Sequence, residues 1–419
     1  MKRLKIFDSP HYNTVVFALC FLMILFCLGF CSTAKTIFLA PITSALNISR
    51  SAFSVSETFR FIFAAIVNAF FGILVNRFGT KRLILTGLAC LIASSLLFAY
   101  STSLIGFYFA GALLGTGFSW TTTSMVGSII RRRATKKVGT IMGIVLAANG
   151  FGGTLATNML SPIIKSGVFG YKKAYLVVVA LVAFVFLLFL FLYKDGDKSE
   201  LRKDNKTKNN DHGFEGISLK EALRRPYFYL ICLFIFLSGL ILQGLVTSYS
   251  AILDGTGLSS GLVTAVLSIY TFTLAFSKIL CGALYDKFGL KATVILSLFF
   301  CVLNLSSLLI INDSPTGRII AVISSLFFAL SLPLETVMLP FYAGSFFGLK
   351  AYNDALGIFV SVAYAGMALG PPIMNVFFDI SKNYTTGIIA FLFATVIISV
   401  IFLVSYNLSN KHKKELERM

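Results

Sequence analysis

Histidines and acids are scarce in this chain. Three histidines and one tryptophan occur among 419 residues, and 17 acidic residues stand against 36 basic ones. His11, His212 and His412 all fall in predicted tails or loops. No histidine is therefore placed to relay a proton through an apolar segment or to ligate a metal within one. The seven cysteines (Cys20, Cys27, Cys31, Cys90, Cys232, Cys281 and Cys301) lie in apolar runs without metal-ligand spacing, and read as small packing residues. No Gly-x-x-x-x-Gly-Lys-Ser/Thr stretch is present, so a phosphate-binding loop for ATP is excluded. No metal and no cofactor is expected. Strand-like alternation is also missing, which excludes an outer-membrane barrel. The first apolar run is too long for a cleavable leader and has no small-residue cleavage site. It is expected to stay as the first membrane-spanning helix.

What is present is apolar. The chain is 57% hydrophobic with a mean hydropathy of +0.86, above the roughly 45–50% apolar usage of soluble domains. Several uncharged runs exceed the roughly 20 residues that span a bilayer. The predicted fold class is an all-α polytopic membrane protein, with twelve transmembrane helices in two pseudo-symmetric six-helix bundles. The first bundle is residues 1–193, a cytoplasmic linker 194–226, and the second bundle 227–419. The linker is the only long polar segment and reads as partly disordered. Its end, from Ser218 to Pro226, reads as a short surface helix.

The net charge of +19 would suggest nucleic acid in a soluble protein. Here its placement says otherwise. Across twelve spans, 27 lysines and arginines fall on one side and 6 on the other, and Lys35, Arg60 and Lys278 lie within spans. This asymmetry is a topology signal. It puts both termini in the cytoplasm of a protein in the plasma (cell, inner) membrane, and nucleic acid is not an expected partner.

The chain repeats itself. Gly72-Ile-Leu-Val-Asn76-Arg77-Phe-Gly79-Thr-Lys81-Arg82 returns 210 residues later as Gly282-Ala-Leu-Tyr-Asp286-Lys-Phe-Gly289. Gly143-Ile-Val and Gly152 return 214 residues later as Gly357-Ile-Phe and Gly366. Two parallel six-span halves are a common transporter plan, with the solute held near the bilayer midplane. The two glycine motifs read as hinges and inner-gate latches, with Asp286 capping a neighbouring helix or pairing with an arginine.

Lys278 is the odd residue of the second half. A charge at the centre of a membrane helix costs about 2.5–3.5 kcal/mol on insertion scales, and such residues mark functional sites. It reads as a contact for a substrate anion. The competing readings are a structural ion pair or a lysine snorkelling to the inner face, although Asp286 lies about 12 Å further along the helix. Lys35, near the outer end of span 1, reaches headgroups or lines the same anion path. Asn68 stands four residues before Gly72, the repeat position of Lys278, and is a candidate for the same cavity. Asn149, Trp120 and Thr121 to Thr123 serve either a cavity or helix–helix hydrogen bonds. Glu335 interrupts span 10 between Pro333 and Pro340 and is the candidate proton carrier, or else the partner of an inner-loop arginine. Glu57 and Arg60, three apart, suit a local ion pair. Glu57 is also a second candidate for proton coupling, or gates the path with Lys35.

The first glycine motif resembles the loop 2–3 signature of the major facilitator superfamily, and Gly282 to Lys291 resembles its weaker second copy. A narrower resemblance is to the monocarboxylate transporters and oxalate/formate exchangers. Gly29 to Lys35 is similar to the monocarboxylate transporters' span 1 pattern, which also ends in lysine. Ile73 to Gly79 is similar to their version of the motif, including Asn76. Lys278 to Gly282 resembles their span 8 pattern, where an arginine taken to pair with the substrate carboxylate precedes a glycine by four. Phe347 to Gly357 and Leu369 to Pro372 resemble their loop 10–11 and span 11. Three departures stand out. Lys278 replaces the arginine, leaving a point charge where two-pronged binding is usual. Leu274 stands where the family has an aspartate. Span 11 has no lysine or arginine, unlike the two-cation arrangement expected of a dicarboxylate exchanger. The resemblance implies a secondary active transporter of small organic anions, most of all monocarboxylates, by proton symport or anion exchange. The implied partners are the anion, protons or a counter-anion, and the lipid bilayer. Competing expectations are a drug or other small-molecule exporter of the same fold and a non-transporting membrane receptor or sensor. None of these is an enzyme.

In a chain freed of its native cysteines, Lys206→Cys should react with a membrane-impermeant thiol reagent only in inside-out vesicles. Lys382→Cys should react only in intact cells. The opposite labelling would invert the topology.

Overall fold

The computed structural model describes residues 10–32, 36–134, 136–195 and 216–416. The chain divides into two compact units, Met1–Gly213 and Phe214–Met419, with the division inside the predicted linker. Unit 1 holds α1 (Pro10–Met23), which runs into a π-helical turn (Ile24–Phe30), then α2 (Thr36–Leu46), α3 (Arg50–Ala69), α4 (Phe71–Phe78), α5 (Thr80–Tyr100), α6 (Leu104–Thr121), α7 (Thr123–Arg133), α8 (Val138–Lys165) and α9 (Gly170–Leu192). Unit 2 holds α10 (Leu219–Ala222), α11 (Pro226–Asp254), α12 (Ser260–Leu308), α13 (Pro315–Ser331), α14 (Leu339–Phe347), α15 (Tyr352–Ser381) and α16 (Thr385–Leu416).

Eleven helices among the described residues are long and apolar enough to cross a membrane. One of them, α12, has 49 residues and would run about 73 Å as a straight helix. That is more than twice a hydrocarbon core of about 30 Å. It breaks at Gly289, where φ is 75° and ψ −178°, and so makes two crossings. The twelve-helix layout predicted from the sequence is the result. Gly79 ends α4 with φ 83° and ψ 162°. The last glycine of each motif copy thus turns the chain in the same left-handed region, which only glycine enters without strain.

The pairing of helices also repeats. In unit 1, α8 packs on the π-helical turn, α6 on α3 and α5, and α9 on α5. In unit 2, α15 packs on α11, α13 on α12, and α16 on α11 and α12. The first and fifth spans of each unit meet backbone to backbone. A Cβ added to Gly152 would fall on the Leu25 carbonyl oxygen, and one added to Gly366 on the Phe236 carbonyl oxygen. The two glycines matched in the sequence occupy the same joint. In lipid, where apolar side chains gain nothing by leaving their solvent, such close approach is a main source of helix association.

The described ends of the predicted linker are anchored, and residues 196–215 lie outside the described residues. Both carboxylate oxygens of Asp195 accept from the Lys81 backbone N–H at 3.1 Å, capping α5 just after Gly79. Lys81 Nζ donates to the Leu190 carbonyl at 2.7 Å. The acid at this cap is Asp195. Asn76, Arg77 and Asp286 are exposed. At the other end, the Ile217 N–H donates to the Phe347 carbonyl at 3.1 Å. The Glu221 N–H donates to Ser218 Oγ at 3.3 Å, so the predicted surface helix forms as the short α10. Pro226 then opens α11, a position where its missing N–H costs nothing.

Gly152→Ala and Gly366→Ala should each destabilise the protein by about 1–3 kcal/mol through overpacking. Gly261→Ala, where no heavy atom lies within 4 Å of the added carbon, should be neutral. Thermal unfolding in detergent measures all three.

Candidate functional site

The fourth span of each unit is interrupted at a corresponding position. In unit 1 the break falls between α6 and α7, at Thr122 (φ −123°, ψ −143°). The Thr121 and Thr122 hydroxyls donate to the carbonyls of Gly117 at 2.9 Å and Phe118 at 2.7 Å. Back-bonding of this kind competes with the helix ladder and bends it. In unit 2, α13 tightens into a 3₁₀ turn, Leu332–Glu335, before α14 resumes. The Pro333 carbonyl accepts from the N–H groups of Thr336, Val337 and Met338 at 3.3, 2.9 and 3.1 Å. Breaks at matching positions of two repeats are the sequence-readable marker of a transporter's binding region.

A polar side chain from the second span of each unit meets each break. In unit 1 it is Asn68, fully buried. Its Nδ2 donates to the Ala64 carbonyl and to Ser119 Oγ, both at 2.8 Å, and its Oδ1 accepts from the Ser124 hydroxyl at 2.6 Å. Asn68 was expected to contact substrate, but both its amide hydrogens and its carbonyl are spent on holding α3, α6 and α7 together. In unit 2 the residue is Lys278, 5% exposed and without a hydrogen bond among the described residues. Glu335 at the break is also buried, and its Oε2 accepts no hydrogen bond. The two side chains are close enough for their charges to interact, without a direct ion pair between them. Asn68 precedes Lys278 by 210 residues and Ser124 precedes Glu335 by 211. One joint is thus built twice, once with neutral hydrogen bonds and once with a cation and an acid.

Packing holds Lys278 in register. One turn beyond it, the Cys281 thiol donates to Met338 Sδ at 3.5 Å. Tyr285 stacks on Phe341 at 3.9 Å, with its hydroxyl 3.1 Å from Ser345 Oγ. Before it, Tyr270 stacks on Phe328 at 5.0 Å, and Phe328 meets Tyr249 at 4.6 Å. These contacts set α12 against both sides of the break. The chemistry available is that of a buried ammonium with one internal counter-ion. Removing the counter-ion's charge leaves the ammonium to an external anion, because an uncompensated buried charge is far more costly than a paired one.

The other predicted residues are dispersed. Lys35 lies outside the described residues. Glu57 Oε2 accepts from Arg60 Nε at 2.6 Å, and the Arg60 guanidinium covers the Phe61 ring at 4.1 Å. This is the local ion pair read from the spacing. Asn149 is half-buried on α8. Gly72 and Gly282 are buried, while Arg77, Lys81 and Arg82 rim an open cavity of about 410 Å³ with Asp195. Ser119 and Ser124 escaped the sequence reading. Their only signal was the threonine run beside them, which marks the break.

A family model described as Major Facilitator Superfamily matches residues 20–371. Multidrug resistance protein 2 of Bacillus subtilis (strain 168) is 24% identical over 330 residues, 76% of this chain and 78% of that protein. The solved proton:xylose symporter XylE, bound to 6-bromo-6-deoxy-D-glucose, matches with a TM-score of 0.67 at 15% identity, over 96% of this chain and 95% of that one. The fucose:proton symporter FucP of E. coli matches with a TM-score of 0.66 at 15% identity, over 95% of this chain and 98% of that one. At such identities the solved structures speak for the fold.

Lys278→Ala or Glu335→Ala alone should destabilise the protein by about 3–5 kcal/mol, since each strands a buried charge. The double variant Lys278→Asn/Glu335→Ser copies the junction of unit 1 and should lose less than either single variant. Unfolding midpoints of the four proteins test this.

Proposed function

The chain belongs to the Major Facilitator Superfamily of membrane transporters, and we propose that the solute it moves is a small organic anion, a monocarboxylate above all. It is a secondary transporter and not an enzyme. The observation that carries the anion reading is the buried, hydrogen-bond-free Lys278 with Glu335 as its counter-charge within one unit. With Glu335 ionised, the junction is neutral and holds no anion. With Glu335 protonated, Lys278 is left to a substrate carboxylate. One proton then accompanies one anion, and the loaded junction is again neutral. Alternating access driven by the proton gradient follows from that cycle. Lys35 and Asn149 are proposed as further contacts along the path. Glu57, held by Arg60, and the two glycine motifs are assigned to gating. The charge asymmetry supports a plasma (inner) membrane location with both termini in the cytoplasm.

The relation to Multidrug resistance protein 2 favours a second reading. There the solute is a lipophilic drug, and Glu335 serves as the principal charge.

Proteoliposome uptake distinguishes the two. Labelled lactate, pyruvate, formate and oxalate are offered with and without an inward proton gradient, and ethidium efflux is followed in parallel. On the anion reading, at least one acid enters, Lys278→Ala abolishes its uptake, and Glu335→Gln removes the dependence on the gradient. Gradient-driven ethidium efflux with no carboxylate flux would replace the anion reading with the second one.

A further inference from the structure

The face of α12 that leads to Lys278 carries a row of hydroxyls. Thr264, Ser268 and Thr271 follow one another at helical spacing, and Lys278 lies seven residues beyond Thr271, so all four share one face. The three hydroxyl residues are exposed. The exposed apolar residue Phe272 lies one turn beyond Ser268, about 40° around the helix, and borders the row, while Phe276 stands about 80° to 140° away from it.

The hydrogen bonds in this row restrict what it recognises. Thr264 Oγ1 donates to the Ser260 carbonyl, Ser268 Oγ to the Thr264 carbonyl and Thr271 Oγ1 to the Leu267 carbonyl, each at 2.8 Å. On α11, Thr247 Oγ1 donates to the Gln243 carbonyl at 3.0 Å. A hydroxyl whose hydrogen is committed to its own helix offers only lone pairs outward. The row thus accepts hydrogen bonds and does not give them, which suits donors and not a carboxylate. A second observation points to an occupant: Lys278, 95% buried by its 5% exposure, has no hydrogen-bond partner among the described residues. Cα–Cβ bonds of a helix tilt toward its N-terminus, which is the direction of Thr271 from Lys278.

We propose that the solute is a polyhydroxylated carboxylate, a sugar acid, whose carboxylate meets Lys278 while its hydroxyls donate to Thr271 and Ser268. This deepens the anion reading and rests on it. Thr271 and Ser268 lie about 10 and 15 Å from Lys278 along the helix axis. A short acid such as lactate meets the cation and leaves the acceptors unused. A six-carbon sugar acid engages both ends.

The test is a titration of the thermal unfolding midpoint of the purified, detergent-solubilised full chain. The probes are gluconate, hexanoate (of equal carbon number without hydroxyls), lactate, and the uncharged polyol glucitol. Gluconate should stabilise the wild type at roughly tenfold lower concentration than hexanoate or lactate, the ratio of about one or two hydrogen bonds. Thr271→Val, isosteric and on an exposed face, should weaken gluconate about three- to tenfold and hexanoate by less. Lys278→Ala should weaken both acids. If hexanoate binds as well as gluconate and both need Lys278, the sugar-acid inference fails while the anion reading stands. If glucitol matches gluconate, or no carboxylate binds, the anion reading fails and takes the inference with it.

Discussion

Hydrocarbon offers no partner to a bare peptide group or an isolated charge, and each such group left there costs several kcal/mol. Any departure from regular helix within a span must therefore be closed again from inside the protein. Both interrupted spans show how. Threonine hydroxyls take up carbonyls at the first break, and the Pro333 carbonyl gathers three freed N–H groups at the second. Each break then admits a polar side chain from a neighbouring span. At the first, Asn68 is fully hydrogen-bonded. At the second, Lys278 and Glu335 are buried near enough for their opposite charges to interact. The same solvent that punishes polarity thereby fixes where polarity is concentrated.

Around these junctions, rigidity comes from backbone contact. Gly152 and Gly366 bring the first and fifth spans of each unit so close that no side chain fits. Gly111 and Gly115 do the same between α6 and α3, against the carbonyls of Ser56 and Arg60. Joints of this kind resist sliding, because moving a ridge by one residue puts a Cβ where only hydrogen fits. The chain turns sharply at Gly79 and Gly289, whose left-handed backbone closes the second span of each unit.

Much of this was legible in the sequence. Hydropathy gave the spans, the charge pattern their expected sidedness, and two offsets near 210 residues the internal repeat. Lys278 and Glu335 were conspicuous because ionised residues are rare in such segments. What escaped was neutral. Ser119 and Ser124 have no hydropathy signature in spans full of small residues, and their role depends on where Asn68 ends up. Asn68 itself looked like a cavity residue because it shares the repeat position of Lys278. Its partners lie 51 and 56 residues further along the chain, a proximity that only folding creates. Asp195 was hidden differently. It stands second in a polar segment whose composition says linker, and its capping of α5 exists only once α9 has brought it back to Gly79.

On the reading proposed above, in which the second junction meets the solute, the twin junctions bear on how a chain of this kind acquires new cargo. A single-copy bundle that exchanged a structural amide for an ammonium would risk its only anchor. A duplicated bundle has a spare. One copy keeps the neutral arrangement and guarantees assembly, and the other is released to drift in charge. Divergence of specificity is then a local event at two side chains, and the scaffold that must survive each step of it is inherited intact in the opposite half.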